Sequence, residues 1–158
     1  MAEYGFQVVA EDDLPMLADW LRQEAVSRWW KNADMQIAEI REHISDPGIA
    51  LRIVTAADAP IAYVQHYPAA RWPAPHFAGL PPDSVAIDLF SGPQGFGHGG
   101  RWLRQLGDML LRRVSTLAID PTPENSRAIG AYQHAGFTGD VIRPDAEGNC
   151  VRVMTRRR

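Results

Sequence analysis

Residues 84–137 constrain the fold more than any other stretch of the chain. They read SVAIDLF, SGPQGFGHGG, RWLRQLGDMLLRR, VSTLAID and PTPENSRAIGAYQHAGF, which alternates strand, glycine-rich turn, helix, strand, turn and helix. The turn holds Gly92, Gly95, Gly97, Gly99 and Gly100, and the amphipathic run Trp102, Leu103, Leu106, Met109, Leu110 starts directly behind it. Residues without a Cβ let successive N–H groups converge, and a following helix adds the positive end of its dipole. Such a turn suits an anion, a pyrophosphate above all. A flexible surface loop has the same composition, so the neighbouring motifs must decide.

Two nucleotide fingerprints fit the glycines. Gly95-x-Gly97-x-x-Gly100 matches the dinucleotide pattern, with Asp120 about 20 residues on at a strand end, where a ribose-binding acid belongs. Residues 91–94, however, separate the strand from Gly95, where that fold needs an immediate turn, and the chain after Gly100 is too short for the rest of a doubly wound sheet.

The other fingerprint is Gln94-x-x-Gly97-x-Gly99, which resembles the acyl-CoA pyrophosphate loop of the GCN5-related N-acetyltransferases. One strand later, Asn125-Ser126-Arg127-Ala128-Ile129, Ala131-Tyr132 and Ala135-Gly136-Phe137 resemble a second segment of the same family. Ala86-Ile87-Asp88, Asp120-Pro121-x-Pro123-x-Asn125, Arg28-Trp29-Trp30 and residues 61–67 (IAYVQHY) are similar to its aminoglycoside 6'-N-acetyltransferase branch. The resemblance runs from about residue 14 to 155, with residues 69–84 departing from it. It implies a mixed α/β fold: a mostly antiparallel twisted sheet of six or seven strands, splayed between the fourth and fifth, with helices on both faces. Acetyl-CoA would be the cosubstrate and a small-molecule amine the acceptor.

Composition sets the bounds. With 158 residues, 46% of them apolar, a single domain over 1–158 is expected. No basic, apolar leader and no run of 18 apolar residues is present, so the expectation is a cytoplasmic protein without a membrane partner. The net charge of −3 argues against a nucleic-acid surface, and the closing Arg156-Arg157-Arg158 reads as a solvated terminus. Cys150 is the one cysteine, expected in the core of a C-terminal strand, and the five histidines lack metal-ligand spacing, so no metal is expected. His98 reads as merely exposed. A monomer and a homodimer fit equally.

Along the chain, Phe6–Val9 reads as an edge strand. Asp12 and Asp13 offer a cap for a helix with Pro15 in its first turn and Leu14, Leu17, Trp20 and Leu21 on one face. A short helix is expected over 24–30, and a third capped by Asp34 with Ile37, Ile40 and Ile44 as its stripe. ALRIVTA and IAYVQHY form a hairpin around residues 57–60. Pro73, Pro75, Pro81 and Pro82 exclude regular structure from residues 69–83, where Trp72, His76 and Phe77 suggest a substrate lid. Thr138–Arg143 and Cys150–Thr155 make a last hairpin.

Acetyl transfer needs a bound acyl-CoA, a neutral amine, a donor to the thioester oxygen and a proton for the departing thiolate. The nest of Gln94, Gly95, Phe96, Gly97, His98, Gly99 and Gly100 would hold the pyrophosphate. The resemblance implies that Asn125, with Ala128 beside it, bonds the pantetheine arm, although Asn125 serves equally as a helix cap. It also implies that Tyr132 protonates the thiolate; a packed core tyrosine is the alternative. Asp88 stands among apolar residues in mid-strand, where an unpaired charge is costly, so it should face a cleft as general base or ammonium anchor, or else pair with a buried arginine. A backbone N–H at Leu89 or Phe90 would meet the oxyanion. Asp120 adds a second charge to the amine side, and by resemblance Trp30, Gln65 and Tyr67 shape that pocket. The acceptor could be an aminoglycoside, but residues 69–83 contain Arg71 and His76 against the single acid Asp83 where drug-modifying relatives carry an acidic lid. An amino sugar or a siderophore hydroxylamine fits as well. A non-catalytic acyl-CoA sensor would need neither Asp88 nor Tyr132.

Overall fold

The computed structural model describes residues 3–158. They form two compact units, one of residues up to His66 with Leu89–Gly97, the other of Tyr67–Asp88 with His98–Arg158.

In the first unit, β1 (Tyr4–Val8) pairs antiparallel with β2 (Ala50–Ala56), which pairs antiparallel with β3 (Ala59–Pro68). Ala57 and Asp58 both take positive φ, 50° and 67°, which is the tight two-residue turn that matches the twist of a hairpin. Ala59 and Pro60, expected in the connector, therefore already belong to β3, and the register shift at Val54/Thr55 accommodates the proline. Helix α1 (Leu14–Arg22) buries Leu14, Leu17, Trp20 and Leu21, the face its spacing predicts. Asp13 holds the N-cap position as expected but its side chain does not cap the helix: the carboxylate instead accepts from the Ala10 N–H at 2.8 Å and closes the preceding 3₁₀ turn. The second helix, α2 (Glu24–Ser27), is shorter than predicted. The cap of α3 (Ala33–His43) is Asn32, at φ 60°, whose Oδ1 accepts from the Met35 N–H at 3.2 Å. Asn tolerates the left-handed region that this entry needs, while Asp34 sits inside the first turn and pairs with Arg22 at 3.1 Å. Of the predicted stripe, Ile40 is buried, and Ile37 and Ile44 are half-buried.

His66 on β3 titrates at about 4, depressed by burial and then by the charge of Arg52. The unfolded chain would bind a proton there at the ordinary histidine value of 6.5, and the folded chain does not, so folding stability falls as pH drops from about 6.5 to 4. His66→Asn should flatten that acid limb in urea titrations at stepped pH; an identical limb in the variant would contradict the assignment.

In the second unit, β4 (Val85–Ser91, of which 85–88 lie here) runs parallel to β5 (Thr116–Ile119), paired at Val85↔Leu117 and Ala86↔Ala118. Strand β7 (Cys150–Arg157) pairs antiparallel with β5 and with β6 (Thr138–Pro144). The strand order is β1-β2-β3-β4-β5-β7-β6, mostly antiparallel with one parallel pair, as expected. Helix α4 (Gly99–Leu110) buries Trp102, Leu103 and Leu106, and α5 (Ser126–His134) buries Ile129 and Tyr132. A Cβ at Gly100 would lie 2.7 Å from the His134 ring, so this glycine is what lets α4 and α5 approach. Two expectations fail in this unit. Cys150 is exposed at the start of β7, opposite Pro144, and is not core. The segment 69–83 is not free of regular structure: Pro75–Phe77 forms a 3₁₀ turn, since proline suits a first helical position. It is also tied down. Ala69 N–H donates to Ser84 O at 2.9 Å, and Asp83 accepts from the Ser115 N–H and hydroxyl at 2.7 and 2.6 Å. Phe77 packs with Ala69, Ala86 and Ala118.

Candidate active site

In the second unit β4 carries Asp88, half-buried, and the hydroxyl of Tyr67 at the end of β3 donates to its Oδ2 at 2.9 Å. Trp72 stands edge-on to the Tyr67 ring at 4.9 Å, and the Arg71 guanidinium lies 4.8 Å from the Trp72 centroid. The end of β5 presents Asp120, whose Oδ2 lies 2.9 Å from His76 Nε2. Tyr132 is buried on α5. Its phenol is held above the ordinary tyrosine range by burial, then by the charges of Asp120 and Asp88. Tyr67 is raised in the same direction by burial, by Asp88 and its hydrogen bond, and by Asp120. The structure therefore brings Tyr67, Asp88, Asp120 and Tyr132 into one field, with both phenols kept protonated by burial and by the two carboxylates. As for the predicted alternatives, Asp88 is bonded to a tyrosine hydroxyl, and a buried phenol under this field stays protonated and so keeps a proton to donate.

A cavity of about 150 Å³ adjoins this cluster, lined by Tyr67, Trp72, His76, Asp120, Asp145 and Glu147, with Ala69, Pro73, Ala74, Phe77 and Ala146. The sequence marks His76 and Trp72 only as lid residues and gives no sign of Asp145 and Glu147 at the site. These acids come from the turn between β6 and β7, and nothing in local spacing links that turn to residues 72–77.

In the first unit, Trp30 meets Phe90 edge-on at 5.0 Å, Phe90 stacks on Tyr63 at 4.9 Å, and the Tyr63 hydroxyl donates to Gln65 Oε1 at 2.6 Å. Trp30, Gln65 and Phe90 thus share one aromatic wall, and Leu89 is half-buried beside Phe90 in the strand. The glycine-rich turn is anchored by Gly92 N–H to Ile61 O at 2.8 Å. At Gly95 a Cβ would lie 2.1 Å from the same Ile61 oxygen, so only glycine fits; at Gly97, φ is 93° and the space is open. Gln94 and Gly97 are exposed and Phe96 is half-buried.

The turn runs directly into α4. His98 is its N-cap residue, half-buried and 3.4 Å from Arg101, so it is more than an exposed loop histidine. Gly99 and Gly100 open the helix, whose first N–H groups have no partner within it. Asn125 accepts from the Ala128 N–H at 3.3 Å through Oδ1, so its capping role is present. That bond does not use its amide NH₂ group. Among the described residues no group of three or more His, Cys, Asp or Glu could hold a metal, and no helix is long and apolar enough to cross a membrane.

Strand, backbone-lined turn and helix, followed by strand and a capped helix carrying a buried tyrosine, are the succession that the resemblance to acyl-CoA-dependent transferases leads one to expect. The family model of the acetyltransferase (GNAT) domain matches residues 9–141, and the chain belongs to that family of acetyltransferases. It is 32% identical, over an alignment of length 158, to aminoglycoside N(6')-acetyltransferase type 1 of Klebsiella pneumoniae, covering 88% of this chain and 77% of that one; the Serratia marcescens protein of the same name matches equally. Among solved structures, AAC(6')-Ib in complex with paromomycin and acetyl-CoA is similar at a TM-score of 0.82 and 25% identity, covering 99% of this chain and 94% of that one. An uncharacterized protein of Bacillus halodurans shares the fold at a TM-score of 0.86 and 19% identity, covering 98% and 83%.

Proposed function

We propose that the chain acts as one acetyltransferase domain that transfers acetyl from acetyl-CoA directly to a primary amine of an aminoglycoside-like polycation, at a position equivalent to the 6'-amine. The observation that carries the acceptor class is the grouping of Asp88, Asp120, Asp145 and Glu147 around or beside one cavity. The acids that residues 69–83 lack are supplied by the turn before β7, which favours a polycation over a less charged amino sugar or hydroxylamine. Asp88 and Tyr132 together favour an enzyme over a sensor.

The donor molecule supplies an activated acetyl thioester. The cradle fits it on this chain's own geometry: a turn in which Gly95 admits no side chain, an open backbone at Gly97 and the N-terminus of α4. Gln94 to Gly100 hold the pyrophosphate, and Asn125 and Ala128 hold the pantetheine amides. Asp88 and Asp120 attract the ammonium, and Asp88 accepts its proton directly or through water. The neutral nitrogen then attacks the thioester carbonyl, forming the C–N bond as the C–S bond breaks. A backbone N–H of Leu89 or Phe90 steadies the oxyanion, Tyr132 gives the leaving sulfur its proton, and the second proton lost by the attacking nitrogen as the amide forms restores the phenol through solvent. Trp30, Gln65 and Tyr67 flank the acceptor.

Gly99→Asp tests the cradle. A Cβ there makes only an ordinary 3.6 Å contact with Ala131, so the variant should fold, while its carboxylate opposes the pyrophosphate by roughly 1 to 4 kcal/mol at 4 Å. Titration calorimetry should show acetyl-CoA binding to the native chain, no binding of NAD, and weakened acetyl-CoA binding in the variant. Equal affinity in both proteins would place the cradle elsewhere.

A further inference from the structure

Asp88 reaches two phenols, and it reaches them differently. It acts on Tyr132 by its charge, and on Tyr67 by its charge and by a hydrogen bond as well. That bond is the 2.9 Å contact from the Tyr67 hydroxyl to Asp88 Oδ2, made across 21 residues of sequence between neighbouring strands. The proton of Tyr67 is therefore committed to a carboxylate oxygen. The Tyr67 ring is itself held: it is half-buried, Trp72 stands edge-on to it at 4.9 Å, and the Arg71 guanidinium lies 4.8 Å from the Trp72 centroid. The segment that carries Trp72 is tied at both ends, by Ala69 to Ser84 and by Asp83 to Ser115. An aspartate in mid-strand has a broad χ2 torsion, so its carboxylate plane is fixed only by a partner. Burial and the two carboxylates keep the Tyr67 phenol protonated, and it stays a donor to that partner.

We infer that Tyr67 is a positioning residue for Asp88: its hydroxyl fixes the carboxylate through Oδ2, so that the proton leaving the acceptor ammonium is taken at Oδ1, directly or through water. In that step Asp88 gains the proton, the nitrogen keeps the electron pair for its attack on the thioester, and Tyr67 retains its own proton throughout. The ring of Tyr67 flanks the acceptor, whereas its hydroxyl acts on the reaction through Asp88 alone. The inference rests on the reading of Asp88 as the base proposed above and deepens it.

The native chain, Tyr67→Phe, Asp88→Asn and the double variant form a double-mutant cycle, with circular dichroism melts to check that each is folded. Phenylalanine keeps the ring that Trp72 packs against, and asparagine keeps the shape of the carboxylate. Each protein is loaded with acetyl-CoA and mixed with kanamycin B, and the single-turnover rate is followed by quenching and mass spectrometry as the kanamycin B concentration is raised. With Asp88 present, Tyr67→Phe should slow transfer at saturation by roughly 10- to 100-fold, the effect of a misplaced reacting group. The half-saturating concentration should change by less than about threefold, because the charge that draws the ammonium is still there. In the Asp88→Asn background the same change should slow transfer by less than about twofold, since no base is left to position. An unchanged rate in Tyr67→Phe, with or without a raised half-saturating concentration, would overturn the inference, and so would an equal slowing in both backgrounds; either result leaves acetyl transfer itself standing. A native chain that transfers no acetyl to kanamycin B would remove the reading beneath the inference, and the inference with it.

Discussion

Tyr132→Phe is expected to lower kcat by roughly 10- to 10⁴-fold, the range for loss of a positioned proton donor, with acetyl-CoA affinity nearly unchanged. The substitution keeps the ring that packs on α5 and deletes only the hydroxyl. Burial and the charges of Asp120 and Asp88 hold that phenol well above its ordinary range, so it is fully protonated at any working pH. A thiolate released beside it has an ordinary pKa of about 8.5 and needs a proton or a strong hydrogen bond to leave. The same two carboxylates make a tyrosinate costly, so the phenol is a weaker acid than usual and its donation depends on being positioned within hydrogen-bond reach of the sulfur. It follows that the alkaline limb of kcat below about pH 10 belongs to another group. Stopped-flow acetylation at saturating acceptor checks the magnitude. Unchanged turnover with chemistry rate-limiting would reduce Tyr132 to a packing residue.

Asp88→Asn should lower kcat by a comparable factor, roughly 10²- to 10⁴-fold, and Asp120→Asn should act mainly on the acceptor KM. Both changes keep shape. An asparagine oxygen at 88 can still accept from Tyr67, so the 2.9 Å contact that orders the site survives and only the charge is lost. Without that charge, both Tyr67 and Tyr132 should titrate at lower pH than in the native chain, because Asp88 is one of the causes holding each of them up. Spectrophotometric titration of the phenols reads that shift independently of activity. If kcat were insensitive to Asp88→Asn while KM rose, Asp88 would be an anchor and not a base.

The elements around the site were legible because local chemistry writes them. The spacing of Leu14, Leu17, Trp20 and Leu21 delivers the buried face of α1, and Gly95 and Gly97 mark a turn where a Cβ would strike Ile61 or φ is positive. Asn125 announces the start of α5 and caps it. What was not legible depends on partners far away in the chain. His76 and Asp120 are 44 residues apart, and no periodicity says that one will take a carboxylate oxygen of the other. Asp145 and Glu147 sit in a polar turn indistinguishable by composition from any hairpin tip. Asn32 caps α3 where the sequence points to Asp34, because propensity ranks the two alike and only the backbone at φ 60° separates them. Cys150 opens β7 opposite Pro144 of a strand exposed along its whole length, one residue before the buried part of β7 begins at Val151, so its alternation places it outside the core.

Direct transfer to an amine is tested most plainly by mixing the chain with acetyl-CoA and kanamycin B, following free thiol release and weighing the product in the same reaction. The thiol should appear only when the amine is present, in step with a singly acetylated product. Thiol release at the same rate without the amine, or a kanamycin B that stays unmodified while acetyl-CoA binds, would contradict it.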